Sequence, residues 1–261
     1  MSYEQGAGVP HFALRLAYDG SDFAGWWRQP GLRCVASDID QAGTAIGEPD
    51  LQCTGIARTD RGVHAREQIA RVSCQRPWTT EHLCRALNHH LATDCRCLSA
   101  ARVTDDWDIR ASCRSKTYTY ACDCSPWGDP FARRWAWRPP TGGDWQGLQN
   151  AAKILVGKHD FRCFIRRGEY RHDTVCTLQD ITWTREGNIW RCGIQGDRFI
   201  YRLARSLVGC MWSAARDPTQ LAHINEALEG GAPHPATMQQ APAHGLCLEK
   251  VELHQPLQWS A

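Results

Sequence analysis

The sequence predicts an α+β protein built from two related halves. The order strand, helix, strand, strand, helix, strand occurs twice along the 261 residues. Two consecutive strands without a helix between them indicate a hairpin. This order therefore favours sheets that contain hairpins over a doubly wound parallel sheet. No low-complexity tract or long linker separates the halves. We therefore expect one compact body, with residues 1–106 as the first half, 107–261 as the second, and a cleft between them.

Periodicity places the elements of the first half. Phe12, Leu14 and Leu16 alternate with other residues and predict a strand that ends at the turn signal Asp19-Gly20-Ser21. Apolar residues on one stripe predict the first helix, and Thr79 or Thr80 is a plausible cap for the second. The predicted elements are strands over 12–18, 51–57, 68–74 and 97–103 and helices over 35–46 and 80–91.

The second half repeats this rhythm. Tyr118, Tyr120, Cys122 and Cys124 fall on one face of an alternating segment, which predicts a strand. The segment 125–143 is rich in Pro, Gly and Trp and is predicted to be a loop. The predicted elements are strands over 115–124, 178–184, 189–194 and 246–253 and helices over 144–156, 199–214 and 219–228.

Composition excludes few classes of protein. The chain is 43% hydrophobic and 22% charged, and 30 Lys plus Arg against 28 Asp plus Glu give a net charge of +2. No apolar run approaches the roughly 20 residues of a membrane helix, and the start lacks the features of a signal peptide. We therefore expect a cytoplasmic protein with no membrane partner.

The basic residues are grouped rather than evenly spread. They cluster in 58–71, 110–116, 162–171 and 198–205, and arginine greatly outnumbers lysine. Arginine suits planar recognition of phosphates and bases, so the clusters are compatible with a nucleic-acid partner. Ordinary solvated charge explains them equally well.

Fourteen cysteines raise the question of disulfides or zinc. Disulfides are not expected without a secretory signal. The close pairs Cys95/Cys97 and Cys122/Cys124 have one intervening residue rather than the two typical of zinc knuckles. In a strand this spacing places two small apolar side chains on one face, so we predict core packing and no metal site.

The segment from Gly55 to Ala65 carries the chemistry. A polar loop between two predicted strands, turned by Gly62, is expected to project Arg58, Asp60 and His64 out of the sheet. The neighbouring arginines favour the ionised carboxylate, which can act as a nucleophile at a sugar carbon. Spacing alone favours a hairpin in which Asp60 only accepts turn hydrogen bonds.

Six sequence blocks resemble the tRNA pseudouridine synthase A family. They appear in the family's order and span most of the chain. The blocks are YDGSDFAGW (18–26), RTDRGVH (58–64), KTYTY (116–120), HDF (159–161), FIYRLARSLVG (199–209) and APAHGL (241–246).

The resemblance implies a fold and an activity. The fold is an eight-stranded mixed, mainly antiparallel sheet shared by two related halves, the pseudouridine synthase fold. The activity is the isomerisation of uridine to pseudouridine in transfer RNA, at nucleotides 38 to 40 of the anticodon stem-loop. It also implies a homodimer and no cofactor or obligatory metal.

The resemblance further implies roles for three residues. Asp60 is the nucleophile near the anomeric carbon of a flipped-out nucleotide. Tyr118 packs on the target uracil and is a candidate base for the last proton removal, although a strand tyrosine is otherwise a core residue. Arg205 pairs with the aspartate and orients it, although a helix arginine is otherwise usually solvated.

Other residues are expected to contact the substrate. Arg58 helps to extrude the base or fills its place in the stack, and Leu246 provides an apolar wall that core packing would explain equally well. A mixture of basic and aromatic residues suits phosphate contact and stacking. The remaining expected contacts are His64, Trp107, Asp108, Ile109 and Arg110, and the basic loop residues Gly168, Glu169, Tyr170, Arg171 and His172.

The chain departs from the family pattern on expected binding surfaces. Trp27 stands where the family usually has Gln after Gly-Trp. Further departures occur at Ala36, Ala92, Ile109 and 176–177. None removes a proposed catalytic group, but they bear on which RNA is modified.

Two other functions remain open. One is a pseudouridine synthase that acts on a different RNA or on a nucleotide, which the departures allow. The other is a non-catalytic RNA-binding protein of the same fold, which would not need Asp60, Tyr118 and Arg205 together. A metal-dependent enzyme is not expected, since no His, Cys and carboxylate cluster has ligand spacing.

Overall fold

The computed structural model describes residues 9–164, 173–230 and 239–261. The chain forms two compact units: residues 1–114 with 250–261, and residues 115–249. Each unit combines a sheet with helices, and the strand pairings within each unit described below are antiparallel. The predicted α+β class is confirmed.

The first unit follows the predicted order of elements. The elements are β1 (His11–Tyr18), α1 (Val35–Ala45), β2 (Thr54–Gly55), β3 (His64–Ser73), α2 (Thr80–His90) and β4 (Cys95–Val103). β1 is central, with β4 on one side and β3 on the other, and β2 pairs with β3. Phe12, Leu14 and Leu16 are fully buried, as the alternation predicts. The Thr79 hydroxyl accepts a hydrogen bond from the backbone N–H of His82, so Thr79 is the cap of α2.

The predicted strand over 51–57 is shorter than expected. The ladder with β3 includes only Thr54 and Gly55. Further along, the side-chain amide of Gln68 donates to the carbonyl oxygen of Ala57 at 2.8 Å and accepts from its N–H at 3.2 Å. The Gln68 side chain therefore makes the two hydrogen bonds to Ala57 that a neighbouring strand would otherwise make. The backbone can then leave the sheet after Ala57 and form the loop that carries Asp60.

Among the described residues of the second unit, one strand was not predicted from the sequence. The elements of this unit are β5 (Cys113–Asp123, beginning in the first unit), α3 (Trp145–Leu155), β6 (Gly157–Asp160), β7 (Val175–Glu186), β8 (Ile189–Gly196), α4 (Leu203–Arg216), α5 (Gln220–Leu228) and β9 (Leu246–Leu253, ending in the first unit). The sheet order is β5-β8-β7-β6. β6 is an edge strand of sequence Gly-Lys-His-Asp, so it lacks the apolar alternation that marks a strand.

Helix α4 begins later than predicted. The expected helix starts at residue 199, whereas the observed one starts at Leu203. Arg202 has φ 60°, in the left-handed region, and this backbone conformation breaks the helical path. The predicted strand 246–253 and helix 219–228 agree with β9 and, to within one residue, with α5.

Three of the four paired cysteines pack in the core as predicted, whereas Cys124 lies just after β5 and is half-buried. Cys95, Cys97 and Cys122 are buried, and burial raises the pKa of the Cys95 thiol to about 12. Within residues 9–164, 173–230 and 239–261, no three His, Cys, Asp or Glu side chains form a group suited to a metal ion. The helices of these same ranges include none long and apolar enough to cross a membrane.

Candidate active site

The Asp60 loop is fixed by backbone contacts with the segment after β1. An isolated antiparallel bridge pairs Asp60 with Gly25. The N–H of Trp26 donates to the carbonyl oxygen of Thr59 at 3.0 Å, and the N–H of Gly62 donates to that of Phe23 at 3.3 Å. Because these bonds lie on both sides of Asp60, the backbone that carries the carboxylate is held in one position.

Two glycines allow this close approach. Gly62 has φ 77° and provides the predicted turn. Gly25 has φ 113°, and a Cβ atom there would lie 3.0 Å from the carbonyl oxygen of Thr59. A side chain at residue 25 would therefore push against the residue that precedes Asp60.

Buried polar side chains support the loop from below. The Tyr18 hydroxyl lies 2.8 Å from Oγ1 of Thr59, and Nε2 of Gln68 donates to the same hydroxyl at 3.4 Å. Gln68 is fully buried. Sequence reasoning assigned no role to these residues. No local signal distinguished Gln68, because the strand around it also contains Arg66, Glu67 and Arg71.

His64 is the first residue of β3 and is buried. Its Nδ1 lies 3.0 Å from the backbone nitrogen of Gly20 and 3.0 Å from Oδ1 of Asp19. The Gly20 N–H can only donate, so it requires an accepting Nδ1, whereas an approach to the carboxylate requires a protonated one. Oδ1 of Asp19 already accepts hydrogen bonds from the N–H and the hydroxyl of Ser21, so it does not need the His64 ring as a donor. We therefore assign Nδ1 of His64 as the acceptor of the Gly20 N–H. His64 thus ties the loop to the turn after β1.

Asp60 itself is half-buried, and Arg58 is exposed. The Arg58 guanidinium carbon lies 4.6 Å from the centroid of the Trp27 ring. The loop therefore presents a carboxylate and a guanidinium two residues apart on a rigid backbone. The hydrogen bonds and the bridge hold the backbone of residue 60, so the carboxylate projects from a defined point of the loop.

The expected contact segment 107–110 is a turn in the first unit. Trp107 is half-buried, Ile109 is buried, and Asp108 and Arg110 are exposed. Oδ1 of Asp108 accepts from the N–H groups of Ala111 and Arg110 at 2.9 and 2.7 Å, and these bonds hold the pKa of Asp108 below its usual range. The Asp108 carboxylate thus shapes the turn, and Arg110 presents its charge to solvent.

In the second unit, β5 and α4 carry the other two predicted catalytic residues. Tyr118 is buried in β5, and its ring meets that of Phe199 edge-on at 4.8 Å between centroids. Arg205 lies on α4, and its Nε donates to the carbonyl oxygen of Ala241 at 2.8 Å. The N–H of Ala241 in turn donates to the carbonyl oxygen of Arg205 at 3.1 Å.

Residues 241–246 join these two elements. The Tyr120 hydroxyl donates to the carbonyl oxygen of Pro242 at 2.8 Å. Burial raises the pKa of Tyr120, and the nearby charge of Arg205 partly opposes that increase. Leu246, which follows this segment, is buried. The structure thus collects β5, Arg205 and the segment before Leu246 into one cluster within the second unit.

The predicted basic loop lies outside the described residues. This concerns Gly168, Glu169, Tyr170, Arg171 and His172, which therefore stay predictions.

Comparison with known proteins connects both units to one family. A family model described as tRNA pseudouridine synthase matches residues 151–253. The tRNA pseudouridine synthase A of Aquifex aeolicus (strain VF5) is 32% identical over 94% of this chain and 100% of its own length. The protein of the same name from Shouchella clausii (strain KSM-K16) is 32% identical over 95% of each chain. That from Methylacidiphilum infernorum (isolate V4) is 35% identical over 78% of this chain and 80% of its own.

Proposed function

Since this chain belongs to the tRNA pseudouridine synthase A family, we propose that it isomerises uridine to pseudouridine in the anticodon stem-loop of transfer RNA. The proposed targets are nucleotides 38 to 40, and the proposed nucleophile is the carboxylate of Asp60. The observation that supports the proposal is the Asp60 loop, in which backbone hydrogen bonds from Trp26 and Gly62 flank a half-buried aspartate.

The reaction moves the ribose from one atom of the base to another. The bond between N1 of uracil and C1′ of the ribose breaks, the base rotates, and a bond forms between C5 and C1′. The proton on C5 then leaves and N1, which no longer bonds to the ribose, takes up a proton, so product and substrate have the same composition. The centre at C1′ becomes electron-poor when the first bond breaks, and an ionised carboxylate stabilises or traps such a centre.

The other residues have supporting roles in this proposal. Tyr118 packs on the uracil and removes the C5 proton, a step typical of general bases. Arg205 is already oriented by its bond to Ala241, and it contributes positive charge that favours an ionised carboxylate. Arg58 contacts the RNA during extrusion of the base, because its guanidinium is exposed.

The reaction is tested with unmodified transfer RNA transcripts in a buffer that contains EDTA. Pseudouridine is mapped by carbodiimide labelling and primer extension. The proposal predicts product at nucleotides 38 to 40 and none elsewhere. Product at other positions would contradict the proposed target nucleotides and favour a synthase that acts on a different RNA. Tight binding without product would instead favour a non-catalytic RNA-binding protein, and activity lost in EDTA but restored by a metal would contradict a metal-free mechanism.

We also propose a cytoplasmic homodimer, as the resemblance implies. Light scattering after gel filtration tests the assembly. Twice the monomer mass of 29.4 kDa is the expected result, and a monomer that remains active would contradict it. Cell fractionation with detection of the native protein tests the compartment.

A further inference from the structure

Two consecutive tryptophans next to the Asp60 loop have opposite environments. Trp26 is 1% exposed and packs against Gly55, where a Cβ atom would lie within 2.4 Å of its ring. Trp27 is 46% exposed. Core packing explains Trp26. The half-exposed ring of Trp27 instead contacts a charged side chain of the Asp60 loop.

Trp27 contacts Arg58, a residue of the Asp60 loop. Its ring centroid lies 4.6 Å from the guanidinium carbon of Arg58, within the range of a cation–π interaction. The backbones of the two segments are joined by the bond from Trp26 N–H to the Thr59 carbonyl oxygen and by the bridge between Gly25 and Asp60. Trp27 and Arg58 therefore project from backbones that are fixed relative to each other.

The neighbour of Trp27 is also anchored. Nη2 of Arg28 donates to Oδ1 of Asp40 at 2.7 Å and to the carbonyl oxygen of Cys53 at 3.1 Å. The hydrogen bond with Asp40 raises the pKa of Arg28, which stays charged. The Arg28 guanidinium carbon lies 5.6 Å from the Trp27 ring. The residue that follows Trp27 is thus hydrogen-bonded to α1 through Asp40, and this contact limits where the Trp27 indole can move.

We propose that Trp27 is a positioning residue that holds the guanidinium of Arg58 in the orientation in which it meets RNA, two residues from Asp60. This rests on the proposed function of the same loop. An exposed arginine otherwise spreads over many rotamers, and fixing it on RNA lowers affinity. An indole that holds the guanidinium in advance removes part of that cost. The resemblance gives no such role to this position, where the family usually has Gln.

The test is a double-mutant cycle on Trp27 and Arg58. The variants are Trp27→Ala, Arg58→Ala and both together, and the readouts are the Kd for a transfer RNA transcript and the kcat and KM of pseudouridine formation. We expect Trp27→Ala to raise Kd and KM about three- to tenfold while kcat changes less than twofold. If Trp27 acts through Arg58, the double variant binds no more weakly than Arg58→Ala alone.

Conservative variants separate positioning from folding. Trp27→Phe keeps an aromatic face and should restore most of the affinity, whereas Trp27→Gln should behave like Trp27→Ala. Thermal melting of each variant checks the fold. If Trp27→Ala fails to fold, the Phe and Gln variants decide the question, because the proposal requires them to differ in Kd.

Trp78 and Arg76 provide a control pair, in which the Trp78 indole N–H also donates to Oε1 of Glu48 at 2.8 Å. Their guanidinium-to-ring distance is 4.8 Å, and they follow the opposite end of β3 from the Asp60 loop. Trp78→Ala should leave Kd within twofold of wild type, and its effect should multiply with that of Arg58→Ala.

Independent, multiplicative effects of Trp27→Ala and Arg58→Ala on Kd would overturn the proposal, as would an unchanged Kd in Trp27→Ala. These results differ from a failure of the proposed function, in which the wild-type protein forms no pseudouridine. The affinity cycle still decides the role of Trp27 in that case.

Discussion

The hydroxyl of Tyr18 lies 2.8 Å from Oγ1 of Thr59, the residue that immediately precedes Asp60. Tyr18 is the last residue of β1 and is almost fully buried. The contact therefore connects the central strand of the first unit to the loop that carries the proposed nucleophile. A buried hydroxyl pair of this kind stabilises one loop position, because any other position leaves polar atoms unsatisfied.

Loss of this hydroxyl pair should loosen the loop. Thr59→Val keeps the shape of the side chain but removes Oγ1, so we expect a loss of about 1–2 kcal/mol in the free energy of unfolding. The kcat should fall while KM for transfer RNA is unchanged. Thr59→Ser keeps the hydroxyl and should retain both. Urea unfolding measures the stability of the two variants, and steady-state kinetics measure their kcat and KM. Equal stability and kcat in Thr59→Val and Thr59→Ser would contradict the role of the hydroxyl.

Gly25→Ala should damage the site more than Gly31→Ala. Both glycines have positive φ, 113° and 70°, so alanine is strained at either position. At Gly31 the new Cβ meets nothing within 4 Å, whereas at Gly25 it lies 3.0 Å from the carbonyl oxygen of Thr59. We expect about 1 kcal/mol lost in Gly31→Ala, with activity kept, and about 2–3 kcal/mol in Gly25→Ala, with kcat reduced. Similar kcat values would show that the bridge to Asp60 is unimportant.

The ion pair of Arg33 and Asp94 should make stability depend on pH. Arg33 donates to both carboxylate oxygens of Asp94 at 2.7 and 2.8 Å, and this bonding holds the pKa of Asp94 below its usual range. A lowered folded-state pKa stabilises the protein above the unfolded value of about 3.9, and this stabilisation is lost as pH falls below it.

Asp94→Asn should therefore be less stable than wild type at pH 7, by less than about 1 kcal/mol because the pair is solvated, and equally stable near pH 2. Chemical unfolding at several pH values measures the difference. Asp50→Asn, at an exposed turn, is the control for the loss of one surface carboxylate. A difference in Asp94→Asn that persists near pH 2 would contradict the assignment.

Tyr118→Phe should separate catalysis from folding. The phenyl ring keeps the edge contact with Phe199, whereas the proposed base is lost. We expect kcat to fall about 10²- to 10⁴-fold with unchanged affinity for transfer RNA. Tyr120 lies two residues along the same strand face, and its hydroxyl bonds to Pro242.

Tyr120→Phe is the matched control. It should lose about 1 kcal/mol of stability and change kcat less than Tyr118→Phe does. Rapid-quench kinetics and thermal melting measure both variants. A Tyr118→Phe enzyme with wild-type kcat would show that another group removes the proton.

Most of the fold could be predicted from periodicity, and the exceptions have physical causes. The alternation of Phe12, Leu14 and Leu16 and the Thr79 cap correspond to β1 and α2. β6 could not be found, because an edge strand of polar residues has no apolar pattern. The late start of α4 depends on the backbone angle of Arg202, which no residue preference indicates.

The candidate site was predictable only in part. The loop motif identified Asp60 and the turn at Gly62. The hydrogen bonds of Tyr18 that stabilise the loop were not predictable from a local pattern. Its partner Thr59 lies 41 positions away in the sequence, and its partner Gln68 lies 50 positions away. His64 was expected to face substrate, whereas the structure places it beneath the loop against Gly20, and its contact with RNA stays a prediction.

Turnover by Asp60→Asn tests the central claim most directly. The asparagine has the same shape, and the backbone bonds around Asp60 are unaffected, so the fold and the affinity for transfer RNA should be kept. Release of tritium from transfer RNA labelled at C5 of uridine measures the reaction, since that atom loses its hydrogen. The account predicts a fall of at least about 10³-fold in Asp60→Asn with Kd unchanged. Tritium release within tenfold of wild type would contradict the role of this carboxylate.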